Sequence, residues 1–480
     1  MRRSMGCVLL AGLLLAAAGC EADHTAAPGS SASVKAPPLT KAWERTDLKP
    51  AGQFTAVGGV AVGYVADSGR LQIVALDPAT GKTLWGRAAS PGEVTLGTPV
   101  GVHVVDGKVA YFRADPKGNL FAQLVVADPR TGDDLAVTAP TLFDSPPLAC
   151  SNGTDVCTTS RASYKDKATP HRLRMSDKQY VAEDTGAPAG SRSVGVKGLT
   201  DLGTRDPERV ALIRDGKLVW QRNIGDAFPA GFTSDLGWSW SLYPQPKLYV
   251  GSVYGGQTSS GADGFTRDLA AGSATAALSE ADGSVVWRDA GSALGCDGTV
   301  EVPLDPANPD SASIPVRCRY KGTSTWSAAT KSLSRSGLDV VVEGFDPATG
   351  KTTWSVPVGA ADELATVTEG HALAGPGRLL VSGGTGPLVI DLTSGKTEKP
   401  AADATFWCGK RVEFEYGEAY YIDGKPEHQR IGGEVGTPCG VDGKPVDRVP
   451  ASESTRAFGT VLGADVLVAK ADGVIGYHQG

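Results

Sequence analysis

Short apolar runs, each closed by a polar turn, recur along most of this chain. At 71–76 the run Leu71-Gln72-Ile73-Val74-Ala75-Leu76 is aliphatic and β-branched with one polar interruption, which suits a strand covered on both faces. Asp77-Pro78-Ala79-Thr80-Gly81 follows as turn chemistry. The Asp carboxylate can accept backbone N–H groups two residues on, Pro presets its φ, and Gly takes the φ > 0 position that closes the loop. Thr83-Leu84-Trp85 then opens a return strand.

The phrase ALDPATGKTLW at 75–85 returns as GFDPATGKTTW at 344–354. Degenerate copies stand at 125–132, 211–220, 277–287 and 388–395, with weaker ones near Asp177 and Asp442. Further short strands precede most copies, as at 60–65 and 247–251. Three strands before the turn and one after predict a four-stranded antiparallel sheet. Such a sheet is apolar on both faces, and a ring of blades sandwiches it between neighbours. The fold class expected is therefore all-β, with seven or eight four-stranded blades and eight preferred. Counting every turn gives one unit too many, so the copy near Asp177 or the one near Asp442 is expected to be an elaborated loop. Insertions are expected at 255–274 and 305–334.

The two ends of this region complement each other. The stretch 471–478 has the form of a third strand with no return strand after it, and 39–44 that of a return strand with no blade before it. The segment around Trp43 is expected to complete the blade built by the C-terminal strands, closing the ring and removing two exposed edges.

Ahead of this region the pattern changes. Met1-Arg2-Arg3 leads into an apolar stretch at 8–18, too short to span a bilayer, and Ala17-Ala18-Gly19-Cys20 follows. This resembles a bacterial lipoprotein signal over 1–19, with Cys20 lipidated, although Ala17 stands where Leu is usual. Residues 20–38 are mostly small, Pro or charged and read as a flexible tether, leaving 39–480 as the folded body. Of eight cysteines, six remain after Cys7 and Cys20. They fall in near-neighbour couples, Cys150 with Cys157, Cys296 with Cys318 and Cys408 with Cys439, and an exported chain favours disulfides, with this local pairing expected. Loss of 1–19 removes Arg2 and Arg3, leaving 44 positive against 53 negative groups, or −9. That balance shows no Lys/Arg cluster for nucleic acid and no polybasic patch for anionic lipid, so membrane association is expected through the lipid anchor alone.

Candidate chemistry is sparse. Gly-Lys-Thr occurs at Gly81, Gly350 and Gly395, but Leu76, Phe345 and Ile390 stand where a phosphate loop needs its first Gly, and strand follows rather than helix. There is no G-x-S-x-G elbow, no CxxC and no HExxH, and the acidic run 305–310 lacks calcium-loop spacing. No catalytic, cofactor-binding or metal-ligating residue is therefore named. One stretch stands apart: in Trp238-Ser239-Trp240 the alternation places both rings on one face of a strand. Burial in the core and a stacking platform for a sugar or partner both remain open.

The form A-L-D-x-x-T-G-x-x-x-W resembles the PQQ-like repeat of quinoprotein-type β-propellers, and the likeness covers about 39–480. It implies that the Trp after each turn, here Trp85, Trp220, Trp287 and Trp354, packs between adjacent blades, and ring closure adds Trp43. Enzymes of that family are alcohol or sugar dehydrogenases using pyrroloquinoline quinone, some with adjacent cysteines against the quinone and acidic and amide residues on calcium. No Cys-Cys pair exists here, and no motif places the calcium ligands or a catalytic Asp. The resemblance implies fold, and fold alone does not carry function. The function expected is a non-catalytic, monomeric, extracytoplasmic lipoprotein without cofactor that binds or scaffolds a protein partner or a cell-wall component. The alternative is a quinone-dependent dehydrogenase with its cofactor in the central channel.

Overall fold

The computed structural model describes residues 37–92, 100–115, 121–150, 152–163, 165–182, 192–193, 198–202, 208–214, 217–229, 232, 238–254, 258–261, 264–294, 314–327, 329–330, 332–359, 372–383, 386–422 and 425–480. The signal, Cys20 and the tether up to residue 36 lie outside them.

The chain forms a β-propeller. The first sheet joins Thr55–Val57, Val60–Asp67, Arg70–Leu76 and Thr83–Ala89 in sequence order, every neighbour antiparallel. Among the described residues seven further sets repeat this meander, at 103–137, 142–182, 192–223, 238–290, 292–359, 372–398 and 460–479, and we call these eight blades 1 to 8. Blade 8 contains Thr460–Leu462, Asp465–Lys470 and Gly473–Gln479, and its outer strand is Leu39–Arg45, paired from Leu39↔Gln479 to Arg45↔Val474. The N-terminal strand thus completes the last blade as the sequence implied. The extra repeat copy is also located. The Asp177 turn is a true hairpin of blade 3, whereas the Asp442 turn lies outside the blades, on an extension between blades 7 and 8.

In blade 1 the second and third strands carry the core. Val60–Asp67 and Arg70–Leu76 are buried on both faces, and their side chains fall into two separate clusters. Val60, Val62, Tyr64, Ile73 and Ala75 meet Val109, Tyr111 and Val125 of blade 2, while Ala61, Val65, Val74 and Leu76 meet Leu467, Ala469 and Val474 of blade 8. A sheet greased on both sides is stable because each face has a neighbouring blade.

Two long hairpins depart from the four-stranded unit. In blade 6, Val316–Ser327 and Ser332–Phe345 run 12 and 14 residues. The outer half of Val316–Ser327 pairs with Gly264–Asp268, which with Thr258–Gly261 forms a hairpin inserted in blade 5, in register from Gly264↔Ser327 to Asp268↔Thr323. The insertion expected at 255–274 is therefore a sheet extension; of the one expected at 305–334, 305–313 lies outside the described residues, and Val316–Ser327 and 332–334 belong to the blade 6 hairpin. Between blades 7 and 8, Phe406–Ile422 and Lys425–Cys439 form a hairpin of 17 and 15 residues.

Candidate functional site

The repeated phrase builds the joint between blades. In the 77–81 turn, Asp77 Oδ1 accepts the amide N–H groups of Ala79 and Thr80, both at 3.0 Å, and Gly81 N–H returns to Asp77 O at 2.9 Å. At the blade 2 turn the same arrangement on Asp128 holds its carboxyl below the usual range, through the Thr131 and Arg130 amides. The turn then receives the indole of the preceding blade. Trp43 Nε1 donates to Pro78 O at 2.8 Å, Trp85 to Pro129 O at 2.9 Å, Trp220 to Glu280 O at 3.0 Å, and Trp287 to Pro347 O at 2.7 Å.

Each ring face also lies on the turn glycine. Gly132 sits at φ +71, and a Cβ there would fall 2.7 Å from the Trp85 ring; Gly395 stands in the same relation to Trp354. Glycine is required twice over, for its left-handed backbone and for the space beneath the indole. Arg45 and Arg222, two residues past their tryptophans, bond the carbonyls of Gly81 and Gly283 at 2.7 and 2.8 Å. All five predicted tryptophans thus sit at seams. Blade 2 departs from the rule: Ala136 occupies the position of Trp85, and the corresponding turn of blade 3 has Lys178 at φ +59 where the others have Gly. The large ring and the glycine are lost together.

Between blades 5 and 6 lies a cluster that sequence inspection missed. Arg317 is 1% exposed, with Nε 3.0 Å from Glu343 Oε2, Nη1 3.1 Å from Asp289 Oδ2, and Nη2 2.9 Å from Thr352 Oγ1. Arg319 spans the same two carboxylates at 2.9 and 2.7 Å, and the Arg317 guanidinium lies 5.4 Å from the Phe345 ring centroid. Two cations and two anions neutralise one another, so the group is an internal clamp with little charge left for a ligand. Arg317, Arg319 and Glu343 share the blade 6 hairpin while Asp289 comes from the outer strand of blade 5, and no short motif announces them.

A second polar group, Ser160, His171 and Tyr180 in blade 3, has the residue types of a nucleophile and base. Ser160 Oγ lies 3.0 Å from His171 Nδ1 and 2.8 Å from Tyr180 Oη, and the two rings stack at 4.8 Å. The same Nδ1 lies 2.9 Å from Thr169 O. A carbonyl only accepts, so Nδ1 carries the hydrogen and cannot take a proton from Ser160. Ser160 is itself 1% exposed, and the trio reads as a satisfied interior network.

The tryptophan pair at 238 and 240 resolves toward the core. Trp240 is 4% exposed and packs edge to face against Phe228 at 5.9 Å and Trp238 at 6.0 Å, with Trp238 half-buried. Trp240 offers no open face to a sugar. Among the described residues, no three His, Cys, Asp or Glu side chains converge as a metal site. One cleft of about 450 Å³ lies between blade 7 and the short helix Ser452–Phe458. Arg378, Glu398, Asp403, Arg448 and Glu453 line it, with Arg448 and Asp403 paired at 3.5 Å. Of the expected disulfides, Cys150–Cys157 bridges the first two strands of blade 3, and Cys408–Cys439 closes the base of the long hairpin. Cys318 is disulfide-bonded and fully buried, and Cys296 lies outside the described residues.

No protein-family model matches the chain. No curated protein matches it either. Among solved structures, it is similar to BamB from Moraxella catarrhalis at 12% identity, covering 92% of this chain and 100% of that one with a TM-score of 0.32. It is also similar to the quinohemoprotein alcohol dehydrogenase from Comamonas testosteroni, at 12% identity over 86% and 78% of the two chains with a TM-score of 0.37. A third is the β-propeller domain of the Trilobed protease from Pyrococcus furiosus, at 10% identity over 76% and 95% with a TM-score of 0.32. Likeness at this level carries no functional argument, and the assignment of the fold rests on the sheets themselves.

Proposed function

We propose that this chain is a non-catalytic, extracytoplasmic propeller that binds or scaffolds a protein partner or a cell-envelope component, held at the membrane through lipid on Cys20. The observation that supports this reading is the blade 6 hairpin, one of the two outsized hairpins. Among the described residues, no strand outside them is longer than the eight residues of Val60–Asp67 and Thr352–Gly359. The outer half of the blade 6 hairpin adds little to a blade core. Thr323, Ser332, Ser334 and Ser336 are exposed, and Thr266 and Thr325 share a hydroxyl hydrogen bond at 3.1 Å. Ordering such polar strands costs conformational entropy with little apolar burial in return, which favours a role in contact with something else. Two disulfides suit an oxidising compartment.

The test has two arms. A photo-crosslinking residue at Thr325 or Ser334 in membrane-anchored protein is expected to give a discrete adduct that the same residue at Lys165 of blade 3 does not. Purified protein mixed with pyrroloquinoline quinone and calcium is expected to show neither a new visible absorbance nor dye reduction. Turnover in the second arm would overturn the reading, as would identical crosslinking at all three positions.

A further inference from the structure

The Phe406–Cys439 hairpin is anchored along its length to successive blades, and the order of its contacts is informative. At its base, Cys408 and Trp407 pair with Ala372 and Leu373 of the inner strand of blade 7, and the Cys408–Cys439 disulfide ties its two strands together. One step outward, Val435 and Val412 pack among Leu467, Ala469 and Val474 of blade 8 and Phe54, Ala61 and Leu76 of blade 1. Further out, Ile431, 2% exposed, and Phe414 and Tyr416 join Val57, Val60, Val109 and Tyr111, where blade 1 meets blade 2.

The backbone approaches closely at this outer anchor. Val100 N–H, just ahead of the inner strand of blade 2, donates to Gly432 O at 2.9 Å. A Cβ on Gly433 would lie 2.8 Å from Ala51 O and 3.2 Å from Gly52 Cα, just ahead of the inner strand of blade 1. Only glycine admits that contact. Tyr416 Oη lies 3.4 Å from Ala89 O, where the chain leaves blade 1.

We propose that this hairpin is a strap, running over the inner rim from blade 7 across blade 8 to blades 1 and 2, that clamps the joint where the N-terminal strand completes the last blade. That joint is otherwise held by the pairing of Leu39–Arg45 with Gly473–Gln479 and by Trp43 on the blade 1 turn. An edge strand supplied from the far end of the chain is the place where a propeller opens most easily, and a strap fixed on both sides of it raises the free energy of local opening. The inference stands on packing alone and does not depend on the scaffold reading above.

The test is hydrogen exchange on the full chain. Replacing 411–434 by Asn-Gly keeps the Lys410↔Val435 pair as the closing pair and keeps the disulfide. Exchange is expected to rise about tenfold or more in 51–57, 100–105 and 39–45, while 209–223 of blade 4 keeps its rate. Shortening only the tip, with 417–428 replaced by Asn-Gly between Tyr416 and Gln429, is expected to leave every rate unchanged. Should the first variant fail to fold, Gly433→Val is expected to loosen the same segments. Native rates in 51–57 and 100–105 after either strap-breaking change would overturn the proposal, and so would loosening by the tip deletion alone.

Discussion

Replacing Trp85 by Ala in combination with Gly132→Ala examines the seam chemistry quantitatively. Trp85 is 5% exposed, donates to Pro129 O, and covers Gly132 with its ring. Its truncation removes a buried indole and leaves a cavity, about 4 kcal/mol by analogy with other large-to-small core changes, and the orphaned carbonyl adds about 1 kcal/mol. Gly132→Ala alone places a Cβ 2.7 Å from the ring and demands a left-handed backbone at φ +71. Strain from the backbone is about 1–2 kcal/mol and overpacking adds about as much again. In the double variant the Cβ enters the space the ring vacates, so the overpacking part disappears. The two changes should therefore fall short of additivity by at least about 1 kcal/mol in a double-mutant cycle. Urea denaturation of the single and double variants, followed by intrinsic fluorescence and by circular dichroism, measures this. Additive losses, agreeing within about 0.5 kcal/mol, would show that ring and glycine do not meet and would refute the seam argument. Nature has made a comparable double change already, with Ala136 and Lys178 at the corresponding positions of blades 2 and 3.

Further expectations follow from the same geometry. Glu343→Gln leaves Arg317 and Arg319 with one carboxylate instead of two in a buried site, and should cost about 3–5 kcal/mol in denaturation, whereas breaking the exposed Lys444–Asp442 pair should cost under about 1 kcal/mol. Serine at both Cys408 and Cys439 opens a crosslink of sequence separation 31, against 7 for Cys150–Cys157. Loop-closure entropy then predicts the larger loss, about 3–4 against about 2–3 kcal/mol, and equal losses in denaturant would contradict it. Desolvation pushes the His103 imidazole down to about 4. The unfolded chain binds that proton near pH 6.5 and the folded chain does not, so acidification from about 6.5 towards 4 should progressively remove stability, and His103→Gln should flatten that slope. An NMR titration of His103 with a midpoint near 6.5 would contradict the assignment.

The blades were legible because their signal is local. A turn such as Asp128-Pro129-Arg130-Thr131-Gly132 carries its own hydrogen-bond logic, and a ring such as Trp287 marks a seam at a fixed offset from it. The exchange of Leu39–Arg45 into blade 8 was legible for the same reason, since each end of the region lacks what the other has. The strap was not. Gly409, Gly417, Gly432, Gly433 and Gly436 interrupt its alternation, and the exposed charged residues Arg411 and Glu413 flank Val412, so it reads as loop around a weak repeat copy. The Arg317 and Arg319 clamp was hidden differently: Glu343 meets it across the blade 6 hairpin, at long sequence separation, and Asp289 reaches it only through the stacking of blade 5 on blade 6. Alternation alone could not decide whether Trp240 faced core or solvent; its company with Phe228 decides it.

The pairing of the two ends of the described body is the claim on which the Trp43 seam, the strap and the blade count depend. Thr40 stands opposite His478 in that pairing, so Thr40→Cys with His478→Cys should oxidise to a cross-strand disulfide in folded protein. Peptide mass mapping after proteolysis should recover the 40–478 crosslink in most molecules, with the Cys150–Cys157 and Cys408–Cys439 bonds intact. Free thiols at both positions in a folded, oxidised sample would contradict the account.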